Sequence, residues 1–145
     1  MTRFTLPLVL LALPALARGD DAPSYQRHVS AVLSKLGCNG GTCHGAVKGQ
    51  NGFRLSLFGA DPGADHVSVV REFAGRRVNR NDPAASLLLR KATGQAEHGG
   101  GVRMRPDSPE HAVLREWIAR VDELGELTRV DRDAVTLDCG GRGRV

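Results

Sequence analysis

An all-α domain of about four short helices is what the sequence predicts, and three observations carry that expectation. Val29, Val32, Leu33 and Leu36 recur at helical spacing, and Val113, Leu114, Trp117, Ile118 and Val121 form a second apolar stripe near the other end. Repeats at i, i+3, i+4 and i+7 place side chains on one helical face. Asp82-Pro83 is a capping residue followed by proline, and Asp107-Ser108-Pro109-Glu110 offers Asp107 or Ser108 as a cap; proline suits the first helical position because its missing N–H is one the first turn leaves unpaired. Gly37, Gly75 and Gly94 stand where the helical patterns stop, as glycine does at helix ends.

In chain order, residues 1–17 read as a secretory signal peptide: Met-Thr-Arg, then an apolar run closing on Ala15-Leu16-Ala17. The run is shorter than the roughly 18–20 residues of a membrane span and contains Pro7 and Pro14. Cleavage after Ala17 and no stable membrane span are therefore expected, with the mature chain exported to a periplasmic or extracellular space. Residues 18–23 are a polar linker and residues 24–125 the folded domain. Its first helix covers 25–36. Residues 45–59 are glycine-rich and polar, but Phe53, Leu55 and Leu57 alternate with Arg54, Ser56 and Phe58, so a short extended segment is expected there.

Asp61-Pro62-Gly63 is a turn, after which Asp65 is expected to cap a helix carrying Val69, Val70 and Phe73, with His66 at the surface. A third helix is expected over 82–92 and a glycine-rich loop over 95–106. The last helix follows, its apolar face expected to meet the stripe on 25–36 with Trp117 in the core. Residues 126–145, including Cys139, read as an irregular basic tail and as the possible start of a further domain of a longer protein.

The stretch Gly37-Cys38-Asn39-Gly40-Gly41-Thr42-Cys43-His44-Gly45 carries the chemistry. Two thiols followed at once by a histidine are the elements of covalent haem attachment, the thiols adding to porphyrin vinyl groups and the imidazole binding iron. The spacing C-x4-C-H exceeds the usual C-x-x-C-H by two residues, which Asn39, Gly40 and Gly41 are expected to absorb through positive φ. Two other readings stand beside it. Cys38, Cys43 and His44 with one more ligand are a zinc set, although no second Cys or His pair lies at short spacing; or the thiols form a disulfide in an oxidising compartment.

The 145 residues carry a formal charge of +4, or +3 once Arg3 leaves with residues 1–17. Basic residues are scattered without interleaved aromatics, which argues against a nucleic-acid surface. Arg76, Arg77 and Arg80 are the densest group and are expected as a solvated face, with an acidic partner or haem propionates as other uses. Only six aromatic residues are present, so a buried porphyrin would supply core that the side chains lack.

The chain resembles the planctomycete-type cytochrome c domain, a small secreted haem-c module, over about residues 25–119. The likeness is carried by Gly37-Cys38, Cys43-His44-Gly45, Gln50-Asn51-Gly52-Phe53, Leu55-Ser56-Leu57-Phe58-Gly59 and Asp61-Pro62. It continues through Gly75-Arg76-Arg77, Ser86-Leu87-Leu88-Leu89, Lys91-Ala92-Thr93-Gly94, His98-Gly99-Gly100-Gly101, Pro106-Asp107-Ser108 and Trp117-Ile118. The resemblance implies a cytochrome c-like fold around one covalently bound haem c, thioethers at Cys38 and Cys43, and His44 as proximal iron ligand. In that family the module is similar to the N-terminal part of larger exported proteins.

Met104 is the distal candidate, since it lies shortly before the last helix, where small cytochromes c supply a sulfur. His98, in the same loop and within the His-Gly-Gly-Gly stretch that the resemblance favours, is the alternative, and an open or water-ligated iron is the third reading. The expected function is single-electron transfer to a redox partner protein. The rivals are the haem domain of a larger oxidoreductase or a peroxidase-like enzyme, and a non-haem disulfide-stabilised binding module. No Ser-His-Asp set, phosphate loop or carboxylate pair suggests other catalysis.

Overall fold

Ser24 opens the first helical stretch: its hydroxyl accepts from the Arg27 N–H, and a wide turn over Tyr25–Val29 runs directly into α1, Ser30–Lys35. The computed structural model describes residues 22–121; the expected signal peptide, most of the expected linker, the end of the expected domain at 122–125 and the expected tail with Cys139 lie outside the described residues. Three further α-helices follow: α2 (Pro62–Val70), α3 (Leu87–Ala92) and α4 (Pro109–Arg120). Among the described residues there is no strand, only a single antiparallel bridge between Gln50 and Phe53. None of these helices is long and apolar enough to cross a membrane.

The expected packing of the last helix against the stripe on 25–36 is present. Tyr25, Val29 and Leu33 from the first helix and Leu114, Trp117 and Ile118 from α4 belong to one buried cluster with Leu55, Val69, Val70, Leu89, Ala92, Met104 and Val121. Tyr25 meets Trp117 edge-on at 5.4 Å between ring centroids, a favourable aromatic geometry. At the start of α4 the cap is Ser108, whose hydroxyl accepts from the His111 N–H. Asp107 instead pairs with Arg105, and Glu110 reaches across to Lys35 on α1.

Several expectations are corrected. The extended segment reduces to the Gln50–Phe53 bridge and a short irregular run, because a one-turn helix over Leu57–Gly59 interrupts the alternation; Leu55 is buried while Leu57 and Phe58 face solvent. Asp61, not Asp65, caps α2, accepting from the Ala64 N–H. Asp65 is buried, and its carboxylate accepts from the backbone N–H and the hydroxyl of Ser56. Burial pushes that carboxyl up, and the two Ser56 hydrogen bonds pull it back. His66 is also buried, edge-on to Tyr25 at 5.2 Å and to Trp117 at 5.9 Å. It lies one helical turn before Val69 and Val70, on the side of α2 that faces the core.

The helix expected over 82–92 breaks in two. Asp82 caps only the short turn Pro83–Ala85, and Ser86 turns extended so that its buried hydroxyl accepts from the Asn79 N–H at 2.9 Å. Arg77 is the clearest departure, for it is 5% exposed rather than solvated.

Candidate functional site

The site begins where α1 ends. Gly37, at φ +73°, reverses the chain, and two hydrogen bonds close the helix: Gly37 N–H to the Ser34 carbonyl at 3.0 Å and Cys38 N–H to the Leu33 carbonyl at 2.9 Å. This double closure is the usual way a glycine after the last turn satisfies terminal carbonyls. Cys38 is thereby held against the helix end.

The loop between the thiols is folded back on itself. Its ends meet where the His44 N–H donates to the Cys38 carbonyl at 3.0 Å, while the Cys43 and Gly45 N–H groups both donate to the Gly40 carbonyl. Asn39, Gly40 and Gly41 are not in the left-handed region, so the two extra residues are absorbed by ordinary turns, not by the positive φ expected of them. Glycine is required instead at Gly45, where an added Cβ would lie 2.0 Å from the Asn39 carbonyl oxygen. Asn39 is itself buried, and its side-chain amide donates to the Ser34 hydroxyl at 2.8 Å.

His44 is half-buried with Nδ1 3.0 Å from the Phe53 carbonyl oxygen, and its ring lies 4.4 Å from the Phe53 ring. A carbonyl only accepts, so Nδ1 carries the proton and Nε2 keeps its lone pair. Burial holds the His44 pKa below the usual imidazole value, the Phe53 hydrogen bond opposing that shift and nearby His98, Arg77 and Lys91 adding to it.

His98 shares this arrangement. Its Nδ1 lies 2.8 Å from the Gly101 carbonyl oxygen, which leaves its Nε2 as the second available lone pair. The two imidazoles are 6.3 Å apart between centroids with planes 8° from parallel. Met104, six residues on, is 5% exposed and part of the hydrophobic cluster, its N–H on the Ala92 carbonyl at 3.2 Å.

Cys38 and Cys43 are free thiols, so the disulfide reading is not realised in this structure. Burial raises the Cys38 pKa from 9.0 to about 11, with Arg103 acting in the opposite direction. The Arg103 guanidinium donates toward the Cys43 sulfur at 3.7 Å. Among the described residues no three His, Cys, Asp or Glu side chains are gathered as a metal-ligating group, so the four-ligand zinc arrangement has no counterpart here. The structure brings His44 and His98 together and Arg103 to Cys43. Sequence reasoning missed Arg103 and the Phe53 carbonyl and placed Arg77 on a solvated face, because their contacts to Cys43, His44 and Gly52 span 60, 9 and 25 positions with no local periodicity to announce them.

Comparison with protein-family models, with curated proteins and with solved structures finds no significant match to this chain.

Proposed function

We propose that the chain is an exported c-type cytochrome domain that holds one haem through thioethers at Cys38 and Cys43 and passes single electrons, with His44 and His98 as its two axial ligands. The observation that carries this reading is the His44–His98 pair. The two rings lie stacked, 6.3 Å apart between centroids and 8° from parallel, so the fold gathers two imidazoles beside the thiol loop, each with an Nε2 that would be available to iron. Ligating imidazoles regularly give their other N–H to a carbonyl or carboxylate, which fixes the tautomer and the ring plane; Phe53 and Gly101 do this here.

The surroundings support a flat, largely apolar cofactor. Val47, Leu57, Phe58 and Val102 are exposed, and all belong to segments beside the thiol loop. The Phe58 N–H donates to the Asn39 carbonyl, and Leu57 lies 3.8 Å from the Cβ direction of Gly41. Val102 precedes Arg103, whose guanidinium reaches Cys43. An apolar fringe of this kind marks a surface meant to be covered. When bound, haem supplies one-electron chemistry at iron, at a potential that the axial ligands and their hydrogen bonds tune. Met104, packed in the core, serves stability in this reading. The apolar leader ending at Ala15-Leu16-Ala17 supports export, where thiols are captured by haem or by each other.

The test is a reduced-minus-oxidised visible spectrum and an alkaline pyridine haemochrome of protein made with a periplasmic haem-maturation system. A c-type spectrum that survives acid-acetone extraction is expected. A colourless protein overturns the reading.

A further inference from the structure

We infer that Arg77 is a positioning residue for the haem site: it locks Phe53, whose carbonyl and ring hold the His44 imidazole in its plane, and its charge raises the potential of the metal that His44 binds. The inference rests on the haem reading and concerns a residue that neither the motif nor the apolar pattern singles out.

Arg77 is 5% exposed and its guanidinium serves three carbonyls: Ser68 at 2.7 Å, Glu72 at 3.3 Å and Gly52 at 3.0 Å. The first two belong to the end of α2 and the segment just after it, the third to the turn that precedes Phe53. One side chain thus ties the end of α2 to the turn that presents Phe53. The guanidinium carbon also lies over the Phe53 ring at 4.4 Å and the Phe73 ring at 5.0 Å, and the Arg77 carbonyl accepts from the Leu88 N–H at 3.0 Å, so the clamp is anchored to α3 as well.

Phe53 passes this order on. Its carbonyl accepts both from the Gln50 N–H at 2.9 Å and from His44 Nδ1 at 3.0 Å, and its ring touches the imidazole at 4.4 Å between centroids. Two constraints on one imidazole, a hydrogen bond and a ring contact, leave it little freedom to rotate. Partners behind a ligating histidine set its orientation and its donor strength. A planar fork with five donors can serve three carbonyls and lie on an aromatic face at once; a lysine ammonium cannot. The Arg77 charge is paired with the half-exposed Glu72 carboxylate at 3.7 Å, which offsets part of its field; the remaining positive charge in a poorly solvated position disfavours the ferric state, which carries one more positive charge than the ferrous.

The experiment compares haem-loaded wild type with Arg77→Met, Arg77→Lys and Phe53→Leu, reading the midpoint potential and the ferric low-spin electron paramagnetic resonance. Arg77→Met is expected to lower the potential and change the g anisotropy. Arg77→Lys should keep the potential nearer to wild type while changing the anisotropy, because the charge stays and the fork is lost. Phe53→Leu retains the backbone carbonyl and should change the anisotropy through loss of the ring. Wild-type potential and g values in Arg77→Met overturn the inference. Should that variant fail to fold, unchanged g values in both Arg77→Lys and Phe53→Leu overturn it equally. The pyridine haemochrome of the wild type separates the two failures: a colourless wild type removes the haem reading and this inference together, whereas a haem-loaded wild type with indifferent variants removes the inference alone.

Discussion

His44 and His98, separated by 53 intervening residues, face one another with ring planes 8° from parallel and centroids 6.3 Å apart. Each gives its Nδ1 proton to a backbone carbonyl, Phe53 for one and Gly101 for the other. The two Nε2 atoms are the ones left to bind.

This pairing separates His98 from Met104 by experiment. In haem-loaded protein, His98→Ala is expected to convert the low-spin spectrum to one that responds to added imidazole or cyanide. Met104→Ala should leave the low-spin spectrum in place and cost roughly 2–5 kcal/mol of stability through the cavity it leaves. Visible spectra and denaturant titration of both variants check the assignment, and a reversal of the two outcomes would return the distal role to Met104.

Gly45 offers a second test, with a built-in control. An alanine Cβ there would sit 2.0 Å from the Asn39 carbonyl oxygen, whereas at Gly41 it would meet only Leu57 at 3.8 Å. Gly45→Ala is expected to open the closure between Cys38 and His44, lose about 1–3 kcal/mol or more of stability and sharply reduce haem loading. Gly41→Ala should load normally, and the ratio of haem absorbance to protein reads both.

The Cys38 thiol gives a pH dependence in the haem-free protein. Its pKa is pushed from 9.0 to about 11 by burial, so at pH 8 the folded protein exposes on the order of 100-fold less Cys38 thiolate than the unfolded chain, and alkylation should slow by a similar factor. The folded state binds the proton more tightly than the unfolded one. Its contribution to stability is therefore complete below about pH 9 and is lost as pH rises through 11. Mass mapping of alkylated peptides and denaturation between pH 8 and 11 follow the two effects.

The turn after α2 holds Phe73, Ala74 and Gly75 at φ +54°, +56° and +68° in succession. A left-handed conformation costs an alanine roughly 1–2 kcal/mol that glycine does not incur, against about 0.5–1 kcal/mol of extra glycine chain entropy. Ala74→Gly is accordingly expected to stabilise the protein by up to about 1 kcal/mol. Gly75→Ala should destabilise it, since its Cβ would also approach the Val70 carbonyl oxygen to 2.9 Å. Thermal midpoints of the pair test the sign.

What the sequence by itself determined was local. The stripe on 25–36, the Gly37 stop, a cap at Asp107 or Ser108 and the core placement of Trp117 follow from chemistry within one or two helical turns, and the structure has each of them, choosing Ser108 as the cap. The tertiary structure alone decided that His98 of the loop lies against His44, why Gly45 is glycine, and that Asp65, His66 and Arg77 are buried. Apart from the approach of Gly45 to Asn39 within one loop, these depend on hydrogen bonds and packing between segments well separated in the chain, such as Arg77 to Gly52 across 25 positions. A polar residue on a short helix or turn reads as solvated until the fold supplies the carbonyls and rings that satisfy it inside.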